Sequence, residues 1–155
     1  MPEVADSVYV LPLDVERDGV TRRFNPSAVA TDSGLVLLDT GFPHTLDQLE
    51  EGLADSSYGL ADVELIVLTH HDGDHASGLS ALLERTDALV AAHREEAPYV
   101  DGRSFPIKTP DDQERYEPAP IDVELVGGES VRTAAGRMEL LHTPGHSPGH
   151  LAAYL

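Results

Sequence analysis

At 155 residues the chain is the size of one domain, 1–155, with room for a real core. It contains no cysteine, which excludes disulfides, thiolate metal ligands and a thiol nucleophile. It carries 28 acidic against 10 basic residues, a formal net charge of −18, so nucleic acid is repelled and is excluded as a partner. Acidic chains are often disordered, but a hydrophobic content of 41% with distinct apolar runs predicts a folded protein. No run approaches the roughly 20 apolar residues that span a bilayer. The opening Met1-Pro2-Glu3-Val4-Ala5-Asp6 has neither the basic segment nor the apolar core of an export signal. The expectation is a cytoplasmic protein with no membrane partner.

In chain order, residues 8–13 read as a first strand and 25–31 as a second. Asp32-Ser33-Gly34 signals a turn, and the apolar run at 35–39 predicts a third, fully buried strand. A helix follows Gly41. Thr45 and Gln48 have capping-box spacing, Asp47, Glu50 and Glu51 acidify the first turns, and Leu46, Leu49 and Leu53 form an apolar stripe. His44, before that cap, reads as a surface residue. Val63–Leu68 predicts another buried strand, and Leu79, Leu82 and Leu83 mark the inner face of the helix after it. Residues 87–92 predict a strand ending at His93, which reads as structural. Residues 94–120, rich in Pro, Asp, Glu and Gly, read mostly as loop, with Tyr99, Phe105 and Tyr116 either touching substrate or anchoring the loop. From 121 the pattern predicts a meander of strands at 121–126, 129–133 and 137–143, with Gly127-Gly128 and Ala135-Gly136 as hairpin connections. Met138, Leu140 and His142 would share one face of it, and 151–155 begin one further strand.

The chemistry concentrates in Thr69-His70-His71-Asp72-Gly73-Asp74-His75, where a buried strand gives way to a helix. A helix cap needs one polar side chain, and this stretch supplies three imidazoles and two carboxylates. Imidazole and carboxylate together suit zinc, and also iron or manganese. His70 and Asp72, two residues apart in extended chain, point the same way and can grip one ion. Asp74 and His75 follow Gly73, where the backbone turns freely, and can aim at a second ion. His71 points away from the first pair and reads as an outer or structural residue.

These residues resemble the metal-binding motif of the metallo-β-lactamase-fold hydrolases, in the variant form H-x-D-x-D-H that places Asp72 where a second histidine is usual. The resemblance extends to Leu37-Leu38-Asp39-Thr40-Gly41 and to His142-Thr143-Pro144-Gly145-His146-Ser147-Pro148-Gly149-His150, and so covers nearly the whole chain. It implies an α/β (α+β) fold, the αβ/βα sandwich of that family, of which this sequence supplies the N-terminal half and the start of the second. By the same resemblance His70, Asp72 and His146 hold one metal and Asp74 and His75 another. Asp39 lies beneath them and bonds to their side chains, while His142 and His150 are not ligands. The family's bridging aspartate and last histidine fall after the segments present here, so the expectation is a C-terminally truncated protein or a homodimer that completes the site.

The expected cofactor is zinc, two ions in the full family site, with iron or manganese as alternatives. A carboxylate at position 72 makes the first metal position more anionic and favours tolerance of those ions. The expected function is hydrolysis of a small ester, thioester, lactone or amide, with Asp74 the catalytic residue orienting a hydroxide made available by the metal. Two alternatives stand beside it: a metal-binding fragment or interaction subunit without activity, and a mononuclear iron dioxygenase of sulfur substrates. The lysine-poor acidity, with Lys108 the only lysine, resembles that of proteins from salt-accumulating archaea.

Overall fold

The computed structural model describes residues 2–56, 58–110 and 112–155. Position 111, within the expected 94–120 loop, and residue 1 of the N-terminal hexapeptide therefore lie outside the described residues. Twelve strands are described. β1 (Glu3–Ala5), β2 (Val8–Val10), β5 (Ser27–Ala30), β6 (Leu35–Leu38), β7 (Val63–Leu68), β8 (Leu89–His93) and β9 (Val123–Leu125) form a seven-stranded sheet in the order β1-β2-β5-β6-β7-β8-β9. β3 (Leu13–Arg17) and β4 (Val20–Phe24) make a separate hairpin, and β10 (Glu129–Thr133), β11 (Gly136–His142) and β12 (Leu151–Tyr154) a second, three-stranded sheet. β6 to β9 run parallel, the remaining pairs antiparallel.

Parallel strands need crossovers, and helices supply them. α1 (Leu46–Ala54) joins β6 to β7, α2 (Gly73–Ala76) and α3 (Leu79–Leu83) join β7 to β8, and α4 (Ala97–Val100) opens the long connection to β9. Alternation then splits each central strand between two cores. Leu35, Leu37, Ile66, Leu68 and Val90 face the helices, where Leu46, Leu49, Leu53, Leu79 and Leu82 cover them. Val29, Val36, Val67 and Ala91 face the second sheet and pack on Met138, Leu140 and Leu151. A sheet buried on both faces explains why β6 and β7 read as continuous apolar runs. The mixed α/β layering is the one the motif resemblance implies.

Four local readings are corrected. The first expected strand ends at Val10, and residues 13–24 form the β3–β4 hairpin, which carries charged residues on both faces and so lacks a buried-strand signature. Thr45 stands at the N-cap of α1 without a side-chain cap bond. Its Oγ1 instead accepts the Phe42 N–H and donates to the Phe42 carbonyl, at 3.1 and 3.0 Å. Gln48 does not close a capping box either. It accepts the Asp14 N–H at 2.8 Å and donates to the Asp14 carbonyl at 3.0 Å, which staples the hairpin to α1. Finally, β9 pairs in parallel with β8 rather than opening a meander. Gly127 and Gly128, with φ of 94° and 95°, carry the chain from one sheet to the other. The Ala135-Gly136 hairpin forms as expected, with Thr133 opposite Gly136.

Candidate metal centre

β6, β7 and β8 end at one edge of the sheet, and the residues that follow them there are Asp39, the 69–75 stretch and the 93–96 turn. The carboxyl edge of parallel strands is where open α/β sheets place their sites. The connection from β11 to β12, residues 143–150, folds over this edge. It is tied down where the Leu151 N–H donates to the Thr69 carbonyl at 2.9 Å.

His70, Asp72 and His146 come together, with one nitrogen or oxygen from each lying within 4.8 Å of the others. Asp72 Oδ2 is 3.4 Å from His70 Nε2 and 2.9 Å from His146 Nε2. Buried polar atoms are nearly always paired. Yet His70 Nε2 and Asp72 Oδ1, both buried, find no hydrogen-bond partner among the described residues. A buried imidazole and a buried carboxylate, each with an unpartnered atom, meeting a second imidazole fit a divalent cation. Burial, with the neighbouring His75 adding to it, pushes His70 down to about 4, so its lone pair is free at neutral pH.

Asp74 and His75 sit beside this trio. The His75 ring centroid is 4.0 Å from that of His70, and His75 Nε2 is 3.4 Å from Asp74 Oδ2. Asp39 lies behind them. Its Oδ1 accepts the Thr69 N–H at 2.8 Å, and its Oδ2 is 2.7 Å from His75 Nδ1. The Thr69 hydroxyl reaches Asp39 Oδ2 at 2.8 Å and His70 Nδ1 at 2.9 Å. One carboxylate thus orients two imidazoles, His75 directly and His70 through the Thr69 hydroxyl. Asp39 holds a left-handed backbone, φ 66°, a conformation that persists for a non-glycine residue where its surroundings enforce it. Burial disfavours charge on His75, but its bonds to Asp39 and Asp74 outweigh that and raise it to about 10. The His75 bond in turn holds Asp74 below the usual carboxylate range.

Two residues of this neighbourhood escaped the sequence reading. Glu96, fully buried, accepts the His71 N–H at 2.9 Å and the Gly149 N–H at 2.6 Å, and also bonds His71 Nδ1. It therefore ties the 69–75 stretch to the loop that carries His146. Gly149 is needed for this approach, since a Cβ there would meet His93 Nδ1 at 2.6 Å and Glu96 Cγ at 2.9 Å. Lys108 Nζ donates to Asp72 Oδ2 at 2.6 Å and lies 2.8 Å from His146 Nε2. Its only legible signal was its being the sole lysine.

The other histidines and aromatics fall as follows. His71 is buried against Glu96, with Tyr99 stacked on its ring at 4.4 Å and the Tyr116 hydroxyl donating to its carbonyl at 2.8 Å. Those two tyrosines anchor the 94–120 loop, and Phe105 is exposed. His93 stacks on His142 at 4.2 Å. His150 packs 5.0 Å from the His70 ring, with Nδ1 2.9 Å from the Thr143 hydroxyl. His44 is exposed and stacks on Phe42.

Among similar proteins, the probable metallo-hydrolase YybB of Bacillus subtilis is 32% identical over 126 residues, covering 76% of this chain and 50% of that protein. A hydroxyacylglutathione hydrolase of Cereibacter sphaeroides is 36% identical over 87 residues, 56% of this chain and 27% of that protein. The chain thus spans half or less of the length of these curated relatives. A metallo-beta-lactamase of Cronobacter sakazakii superposes with a TM-score of 0.81 at 21% identity, over 96% of this chain and 56% of that one. BJP-1, a subclass B3 metallo-beta-lactamase of Bradyrhizobium japonicum, does so with 0.79 at 23%, over 96% and 53%. These two likenesses carry the fold alone. Residues 23–155 match the Metallo-beta-lactamase superfamily, a span that takes in Asp39, the 69–75 stretch and His146, and the chain belongs to that superfamily.

Proposed function

We propose that this chain carries the principal metal site of a zinc-dependent hydrolase acting on an ester, thioester, lactone or amide. The observation that carries the reading is the convergence of His70, Asp72 and His146 with two of their buried atoms unpartnered, next to Asp74 and His75. A divalent cation held by these side chains supplies Lewis acidity and lowers the pKa of water from about 15.7 to about 7. The residues provide the rest. Asp39 and Thr69 fix the imidazole orientations, so that little reorganisation accompanies reaction. Asp74, held ionised below the usual range, is a poor proton acceptor at neutral pH and acts by accepting a hydrogen bond and orienting the attacking water. Asp72 adds a formal negative charge to the donor set, which widens the range of ions it accepts.

A second reading has its own support. Two histidines and one carboxylate are also the donor set of mononuclear iron oxygenases, so an iron-dependent dioxygenase of sulfur substrates fits the same trio. Elemental analysis of protein purified in molar KCl, beside a His146→Ala sample, tests both. About one or two zinc ions per chain, reduced in the variant, supports the hydrolase. Iron at one per chain with oxygen consumption supports the dioxygenase. Absence of metal, or equal metal in both samples, overturns both.

A further inference from the structure

The β3–β4 hairpin stands beside Asp74, and its two faces differ. Register places Leu13 opposite Phe24, Val15 opposite Arg22 and Arg17 opposite Val20, so these six residues share one face. Leu13 on that face is fully buried, so the face looks toward the body of the protein. Between it and the Phe42-His44 segment lies a cavity of about 540 Å³, within the range that holds small ligands, lined by Arg17, Arg22, Phe24, Phe42, His44 and Asp74 among others. Its wall is a continuous aromatic surface. Phe24 meets Phe42 edge to face at 5.1 Å, and Phe42 stacks on His44 at 5.3 Å.

Neither cation on this wall is held by a close ion pair among the described residues. On the outer face of the same hairpin, Arg23 grips Asp14 with two bonds of 2.7 Å. Arg22, one residue away and facing the cavity, has no carboxylate partner among the described residues. Arg17 reaches only Asp18, at 3.9 Å, and both side chains are exposed. In a chain with 28 acids and 10 bases, acids to pair with are abundant, yet this guanidinium stays free. Apart from Asp74, Glu16 is the one acid among the described residues that line the cavity.

We infer that this cavity is the substrate pocket and that it selects an amphipathic carboxylate, with an aromatic or branched apolar body against Phe24, Phe42 and His44 and its anionic end on Arg22. Asp74 on the wall puts the hydrolysable bond of such a substrate at the metal side of the pocket. The inference rests on the hydrolase reading for its chemistry, but the pocket's preference is a property of the hairpin and the Phe42-His44 segment. Guanidinium binds carboxylate through paired charge-assisted bonds, which amide and alcohol groups cannot match.

The test is calorimetric titration at fixed ionic strength with three probes: 4-phenylbutanoate, its neutral amide, and butanoate. We expect 4-phenylbutanoate to bind at least tenfold more tightly than either of the others. Arg22→Gln should reduce its affinity to that of the amide and leave the amide unchanged, while Arg132→Gln, on β10, changes neither. No measurable binding of 4-phenylbutanoate, equal affinity for acid and amide, or an Arg22→Gln variant with full affinity overturns the inference. Repeating the titration with His146→Ala separates the two proposals. Binding that survives there shows an anion held by the hairpin whatever the fate of the metal reading. Binding lost there, with Arg22→Gln unaffected, places the carboxylate on the metal and sinks the pocket.

Discussion

Lys108 Nζ lies within hydrogen-bond distance of Asp72 Oδ2 and His146 Nε2, two of the atoms that would hold the first cation. An ammonium and a divalent ion cannot use the same lone pairs, so the lysine is a resident competitor. A charge-assisted bond contributes about 1.5–3 kcal/mol net, and less at a side chain that is 44% exposed. Lys108→Ala should therefore bind the first ion about three- to tenfold more tightly, read by competition with a chromophoric chelator. A weaker affinity in the variant would mean that the lysine supports the loaded state. The same residue shows why sequence reading had limits at this scale. His70, Asp72, Asp74 and His75 were legible because donors in such density have no other use in a turn. Lys108 reaches them from 36 positions away, a proximity that no local pattern encodes.

Between elements, the connection that matters most is made by Glu96, which joins the turn after β8 to the 69–75 stretch and to the 143–150 loop. Burial opposes its ionisation, but the bonds from His71 and Gly149 outweigh it and hold the carboxyl down to about 2. A depressed acid contributes stability that is present above its unfolded value, about 4.3, and is lost as pH falls through about 2. The size is on the order of 3 kcal/mol at neutral pH. Glu96→Gln turns an acceptor of three donors into a group with its own N–H₂ facing a donor. Urea midpoints of chelated protein should show the variant less stable by about 2–3 kcal/mol at pH 7, the gap closing toward pH 2. A gap independent of pH would assign the loss to packing. Glu96 was invisible in the sequence, being one acid among 28 with no periodicity around it. β6 and β7 were visible because burial on both faces writes a continuous apolar run. β9 was seen as a strand but placed in the wrong sheet, since three residues of extended chain carry no information about which neighbour they pair with.

For the molecule as a whole, a net charge of −18 sets the balance of long-range forces. The described ion pairs, such as Arg85 with Asp47 and Glu50 and Arg103 with Asp101 and Glu124, are at the surface, where water and salt screen them and each adds little. Salt weakens those few pairs, but it weakens the repulsion among the unpaired acids more, because they outnumber all the cations. The two effects have opposite signs, and the count decides between them. We propose that the protein is adapted to high salt. Its thermal midpoint should rise by more than 5 °C between 0.1 and 2 M KCl, most of it below about 1 M, where the Debye length falls from about 10 to about 3 Å. If repulsion is the cause, removing charge should imitate salt. Asp32→Asn with Glu117→Gln, both exposed and far from Asp74 in sequence, should raise the midpoint at 0.1 M KCl and leave it nearly unchanged at 2 M. A midpoint that falls with salt would show the surface pairs to be the stronger force, and one that keeps rising equally in wild type and variant would assign the effect to apolar burial rather than to charge.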